Sequence, residues 1–293
     1  MSQQIDVAFQ TTYEQIVEHL LQQKGSRLER TVRVKNGVKG TRWRATNQIG
    51  KRNATRLTSR HQRTVHTDTP HSNRYAHPKH YADADLFDEE DDLESLIDPT
   101  NEYAEAMAMA IGRSKDEEIF RALGGTAITD EDDATGVAFD TSNQVVASGS
   151  TGMNVDKAIE AMRRLMLAEV DPTMEECFLV LTAIQHDQMM RETQAISLDY
   201  MPAPVMQDGM ITRFGGFNFV ICSDELVPKV GSDRYVYAYC RSAIRFGNWG
   251  SGVKSRMDVM PDYNYSTQVH TKASFGAVRA EEGKVVRILC TES

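Results

Sequence analysis

Five of the eight histidines, His61, His66, His71, His77 and His80, fall within twenty residues, a density of imidazole that metal chemistry could use. Their neighbours argue against it. Arg60, Arg63, Arg74 and Lys79 are interleaved with them, and that charge opposes a divalent cation. No nearby cysteine or paired carboxylate completes a ligand set, so solvated or inter-subunit contacts are the expected role. The acidic run DADLFDEEDDLE, Asp83 to Glu94, offers the oxygen ligands that calcium takes. It lacks the glycine-containing twelve-residue register of a calcium loop and reads as a solvated or partner-facing patch. Ser, His and Asp never occur around a nucleophile elbow. SGSTG (Ser148 to Gly152) and GNWGSG (Gly247 to Gly252) lack the lysine and the helix entry that phosphate cradling needs, and both read as turns. No catalytic residue, metal ligand or cofactor-binding residue is assigned.

The charge distribution is more informative than any of these motifs. Between Arg27 and Lys79 the chain carries fourteen Lys and Arg against two acids, Glu29 and Asp68; from Asp83 to Glu105 it carries eleven acids and no base. The basic stretch has too few apolar residues to bury a core of its own, which makes it a long arm that needs a partner. Trp43 and Tyr75 stand among its arginines, and stacking plus charge is how single strands are held. The aromatics are sparse, however, and the net charge over 293 residues is −9, so the bulk of the chain does not suit a protein that coats nucleic acid. A 40% hydrophobic fraction permits a substantial core of one large domain or two ordinary ones.

Cys177, Cys222, Cys240 and Cys290 lie far apart without CxxC spacing, as expected of reduced thiols in a cytosol. The N-terminal residues lack the pattern of a signal peptide, and no apolar run approaches the roughly 18 residues of a membrane span.

Several elements must position this arm. Phe9, Tyr13, Ile16, Val17, Leu20 and Leu21 recur at helical spacing behind a Thr11/Glu14 capping box, with Gly25 as a stop. The alternating pieces TVRVK and TRWRAT, with Asn36-Gly37 between them, predict a long two-stranded hairpin that neighbours must stabilise. Asp98 as N-cap, Pro99 at the first position and Gly124-Gly125 at the far end predict a helix of roughly 25 residues, about 37 Å long. Tyr103, Met107, Ala110, Ile111 and Ser114 form its stripe, thickened by Ile119, Phe120 and Leu123. Thr126 to Gly152 reads as loops with a short strand near Gln144 to Ala147. Behind Asn154 a helix places Val155, Ala158, Ile159, Met162, Leu165 and Met166 on one face. CFLVLT (Cys177 to Thr182) is a buried-strand run followed by a helix over 183–193. Met210 to Phe214, Gly215-Gly216 and Phe217 to Cys222 read as a hairpin. Tyr235 to Phe246, Thr267 to Phe275 and Lys284 to Cys290 read as strands. Helices and strands mix without βαβ alternation, so the class is α+β.

This order resembles the major capsid proteins of tailed bacteriophages, the Hong Kong 97 fold. YAEAMAMAIGRSKDEEIFRALGGTA looks like that family's spine helix. MNVDKAIEAMRRLMLAEVDP, CFLVLTAIQHDQMMRET and GMITRFGGFNFVICSDELVP look like its passage from peripheral to axial domain, and ASFGAVRAEEGKVVRIL like its closing strands. The resemblance implies an N-arm over 1–32, an extended loop over 33–85, a peripheral domain of 86–172 with 262–293, and an axial domain over 173–261. It implies a virion protein without enzymatic activity, assembled in the host cytoplasm into pentamers and hexamers of an icosahedral shell. Its partners would be itself, a portal and non-specifically packaged double-stranded DNA, with no cofactor and no membrane. Relatives often begin with a scaffolding segment, whereas this sequence starts almost at the arm, so a separate scaffolding protein is expected. Lys39 and Lys51 are available for the covalent cross-link that some relatives make, but no local motif supports one. Arg42, Arg44, Arg52, Arg56 and Arg60 are expected to pair with a neighbour's carboxylates among Asp88, Glu89, Glu90, Asp91, Asp92 and Glu94 or on the spine helix. The alternatives are an encapsulin-like nanocompartment shell, which shares the fold, and a soluble nucleic-acid-binding protein.

Overall fold

In the computed structural model the described residues are 22–64, 66–87, 100–192, 206–207 and 210–292. The helix expected over residues 9–21, the cap at Asp98-Pro99 and the acids from Asp88 to Glu94 lie outside them. Eighteen strands are present among these residues. They are β1 (Arg33–Val38), β2 (Trp43–Ile49), β3 (His71–Ala76), β4 (Lys79–Phe87), β5 (Ala127–Ile128), β6 (Gly136–Val137), β7 (Val145–Val146), β8 (Cys177–Leu181) and β9 (Met206–Gln207). The remainder are β10 (Met210–Ile211), β11 (Arg213–Phe214), β12 (Phe217–Ile221), β13 (Lys229–Val230), β14 (Asp233–Cys240), β15 (Ile244–Trp249), β16 (Lys254–Met260), β17 (Ser266–Arg279) and β18 (Val285–Thr291). The helices are α1 (Thr100–Gly124), α2 (Val155–Leu167) and α3 (Ala183–Met190).

The chain divides into two units, one of residues 1–25, 81–112 and 253–273 and a larger one of 26–80, 113–252 and 274–293. In the smaller, β16 and the first half of β17 form an antiparallel ribbon from Lys254↔Lys272 to Met260↔Ser266. β17 buries Val269, Thr271 and Ala273, whereas β16 is exposed almost throughout. Met107, Met109 and Ile111 of α1 are buried.

The larger unit is built on a seven-stranded sheet in the order β11-β12-β8-β14-β18-β7, with β13 paired to β14. Its centre is where the apolar run at residues 177–182 predicts it, and all five residues of β8 are buried. Gly215 and Gly216 adopt φ +57° and +87°, the left-handed pair that a tight two-residue hairpin requires between Phe214 and Phe217. α2 packs on this sheet through Val155, Ala158, Ala161, Met162 and Leu165, and the Asn154 side chain caps it by accepting from Lys157 N. Ile159 and Met166, expected on the same face, are exposed because the buried stripe is narrower and both lie on its flank. The buried Lys157 donates Nζ to the carbonyls of Thr151, Gly152 and Leu289 at 2.7–2.9 Å, which uses all three ammonium donors.

Two strands differ from expectation. The run Tyr235 to Phe246 is not one strand: a 3-10 turn at Arg241–Ala243 separates β14 from β15 and transfers the chain to another sheet. Tertiary acceptors hold that corner, with Arg241 N donating to Glu176 O and Ser242 N to Glu175 Oε1. Asn36-Gly37 is not the hairpin turn. It lies within β1, which runs parallel to β15, and the register slips between Lys35 and Val38, where Gly37 at φ +72° accommodates a bulge. The strands that do form the arm hairpin are β2 and β3, joined in a second sheet to β5 and β6.

Candidate functional site: the basic loop and its root

β2 and β3 pair antiparallel from Trp43↔Ala76 to Ile49↔His71, and residues 50–70 span their far ends. Side chains of the larger unit fix the root. Trp43 meets Trp249 edge to face, with 6.3 Å between ring centroids, and Lys35 lies over the Trp43 ring. Two glycines beneath the hairpin allow this approach. A Cβ on Gly247 would fall 2.6 Å from the Trp43 ring, and one on Gly276 would fall 2.2 Å from the His77 carbonyl oxygen. Arg74, buried in β3, donates Nη2 to both carboxylate oxygens of Glu282 at 3.0 and 3.1 Å. Gln48 donates to Ala280 O, and Lys51 pairs with Glu169.

Past the root, self-contacts thin out. Among residues 51–70 every described residue except Gln62 and Thr69 is exposed, and Leu57 is 72% exposed. Gly50 N donates to Pro70 O, and Arg52 bonds Thr69 Oγ1 and Thr67 O across the base of the loop. Of the five arginines singled out, Arg42 approaches Asp132 at 3.9 Å with both side chains well exposed. Arg44 donates to Tyr75 Oη at 3.1 Å and stacks on that ring. Arg56 and Arg60 make no ion pair or hydrogen bond among the described residues, and neither does Arg63. The clustered histidines disperse: His77 meets Asp133 at 2.8 Å and His80 meets Ser274 at 2.7 Å. No three potential ligands converge on a metal position among the described residues.

The segment leading into the loop is pinned by a residue that composition did not reveal. Asp116, on α1 and 2% exposed, accepts from Ser26 Oγ, Arg27 N and Leu28 N at 2.5–3.0 Å. Lys115 pairs with Glu29 at 2.8 Å, and Thr31 meets the buried Tyr239 hydroxyl at 2.5 Å. Burial pushes the Tyr239 phenol well above its usual range. The available signal was spacing, because Asp116 stands three and four residues before Ile119 and Phe120 and so shares their face. At the C-terminal end of α1 the fully buried Arg279 donates to the carbonyls of Leu123, Gly125 and Val137, closing the helix terminus. Burial lowers its pKa, against the attraction of Glu282. Between α1 and the loop root lies a cavity of about 240 Å³ lined by Tyr75, His77, Lys79, Glu118, Arg121 and Val278. Glu118 is buried there between Lys79 and Arg121, so its charge is met from both sides.

The geometry is a protein scaffold carrying a long, cationic, self-unsatisfied loop on a tightly fastened root. A family model described as phage capsid protein matches residues 5–292. No curated protein sequence matches the chain. Among solved structures it is similar to the capsid of the cyanophage P-SCSP1u, with a TM-score of 0.76 and 12% identity over 99% of this chain and 95% of that one. The capsid of Ralstonia phage GP4 matches with a TM-score of 0.73 and 11% identity over 98% and 96% of the two chains. The acid-stable capsid of Helicobacter pylori bacteriophage KHP30 matches with a TM-score of 0.72 and 10% identity over 99% and 98%. The chain belongs to the phage capsid protein family and has the α+β Hong Kong 97 fold: it is a structural subunit of a virion shell.

Proposed function

We propose that the chain forms the pentamers and hexamers of an icosahedral shell around double-stranded DNA, and that residues 33–85 reach across an adjacent subunit. The observation that supports this most is the loop over 50–70: it carries Arg56, Arg60 and Arg63 without partners among the described residues and presents Leu57 to solvent. An exposed apolar side chain among unpaired guanidiniums is the composition of a contact completed by another molecule, and in a closed shell that molecule is the next copy. Arg42, Arg44, Arg52, Arg56 and Arg60 are assigned to the basic side of the contact. Asp88, Glu89, Glu90, Asp91, Asp92 and Glu94 of the neighbour are assigned to the acidic side. The same reading divides the chain into N-arm 1–32, extended loop 33–85, peripheral domain 86–172 with 262–293, and axial domain 173–261. Assembly in the host cytoplasm with a portal and a separate scaffolding protein belongs to it as well.

The test is charge reversal at the loop. A chain carrying Arg52→Glu, Arg56→Glu and Arg60→Glu should keep its circular dichroism and thermal transition, because these side chains contribute little to the fold, yet should yield no closed particles by electron microscopy. Normal shells from that variant would overturn the assignment of the loop.

A further inference from the structure

Cys177 opens β8 and Cys240 closes β14, and the two stand directly opposite each other in the antiparallel pair. Directly opposed residues on antiparallel strands have Cα atoms roughly 4.5–5.5 Å apart, inside the range of about 4.4–6.8 Å that a disulfide spans. Their sulfurs are 3.0 Å apart and both residues are buried, so the thiols have only about 1 Å to close to reach an S–S bond. No comparable neighbour exists for the other two cysteines. Cys222 has no thiol beside it, and Cys290 faces the thioether of Met153 at 3.7 Å. The pair sits at the strand ends, one residue inside the surface ion pair of Glu176 with Arg241, rather than in the middle of the sheet. The polypeptide between the two sulfurs is long, with 63 positions of separation, so a link would join distant parts of the fold.

We propose that Cys177 and Cys240 are a modification site: a dithiol while the subunit is made and assembled, and an intrachain cross-strand disulfide once the virion meets a hydroperoxide. The reducing interior of a cell keeps such a pair as thiols, whereas a virion spends the interval between hosts outside that reducing pool. In the reaction one cysteine sulfur attacks a peroxide oxygen and the O–O bond breaks; water leaves and a sulfenic acid remains. The second sulfur then displaces the sulfenic hydroxyl as water. In sum, two thiols and one hydrogen peroxide give one S–S bond and two waters: the sulfurs lose two electrons and the peroxide gains them. The local environment favours the first step at Cys177, because Cys240 holds its thiol below the usual range as a hydrogen-bond donor while burial opposes it. Cys222 and Cys290 are both pushed up to about 12 by burial, which leaves them poor nucleophiles.

The test uses the full chain, as assembled particles or as soluble subunit. It is purified with reductant, freed of it, exposed to hydrogen peroxide, and then unfolded in guanidinium chloride with N-ethylmaleimide present. The expected result is two alkylated thiols per chain instead of four, a loss of about 2 Da before alkylation, and a linked peptide pair containing Cys177 and Cys240 that separates on reduction. A Cys240→Ala chain treated the same way should show no intrachain link, and Cys290→Ala should retain the link with one alkylated thiol. Four alkylated thiols in the oxidised wild type would overturn the proposal. So would cross-links through Cys222 or Cys290, or a sulfinic acid at Cys177 with Cys240 still free. The wild-type peptide map decides even where a variant fails to fold.

Discussion

Asp116 shows how one carboxylate can fasten a whole segment. It is removed from water and accepts from one hydroxyl and two backbone amides of residues 26–28, so it ties that segment to the helix. Asp116→Ala strands the amides of Arg27 and Leu28 and should cost about 2–4 kcal/mol, concentrated in the arm anchor rather than spread over the fold. Limited trypsin digestion reads this directly: cleavage after Arg27 or Arg30 should become fast while the remainder of the chain stays resistant. Unchanged protection at those sites would contradict the assignment. Sequence reading places the apolar members of this helix correctly, including Ile119, Phe120 and Leu123. It misses the buried acids Asp116 and Glu118, because a polar residue on an apolar face is intelligible only with its partners, and apart from Arg121 those named here lie tens of residues away at Ser26 to Leu28 and Lys79.

Helix length and strand type were the legible quantities among the elements. Glycine at 124–125 marks the end of α1, and continuous apolarity at 177–181 marks a strand buried on both faces. Corners were not legible. YVYAYCRSAIRF has no turn residue that announces the 3-10 break at Arg241–Ala243, since the hydrogen bonds that stabilise it come from Glu175 and Glu176. Asn-Gly at 36–37 has the chemistry of a turn, but the same positive φ also serves a bulge, and the pairing of β1 with β15 selects the bulge. Two tests belong at this scale. Gly276→Ala forces a Cβ against the His77 carbonyl, a backbone group that cannot rotate away. The loop root must then shift, with an expected destabilisation of about 1–3 kcal/mol and altered hydrogen exchange over residues 71–80. The second concerns α2, where the hydrogen bond from Arg163 lowers the Glu160 carboxyl to about 2, assisted by Arg164. A depressed folded-state pKa means that this contribution is complete above the ordinary value of 4.5 and is lost as pH falls through about 2. The pair faces solvent, so screening keeps this contribution small. Glu160→Gln should lower stability at pH 7 and make progressively less difference as pH falls from 4.5 through about 2, as measured by denaturant unfolding at each pH.

For the whole molecule, charge segregation in the sequence corresponds to a division of labour. In the larger unit outside the loop, buried charged side chains are held by hydrogen bonds or ion pairs. Glu292 illustrates this, because burial opposes its charge but Arg234 and Gln185 hold the carboxyl below its usual range. The loop over 50–70 differs: it is cationic and exposed, held within itself by few hydrogen bonds such as those of Arg52 to Thr69 and Thr67. In the shell proposed above, that arm is the part that association between copies completes. The pairing of that arm with the acids from Asp88 to Glu94 of a neighbour is read from charge segregation in the sequence and stands as the proposal above.

The measurement that tests the central claim most directly is electron microscopy of the chain, expressed alone and with its neighbouring genes, with size-exclusion light scattering on the same samples. The account predicts closed shells, tubes or ring-shaped capsomers of many copies; a monodisperse monomer or dimer under every condition would contradict it.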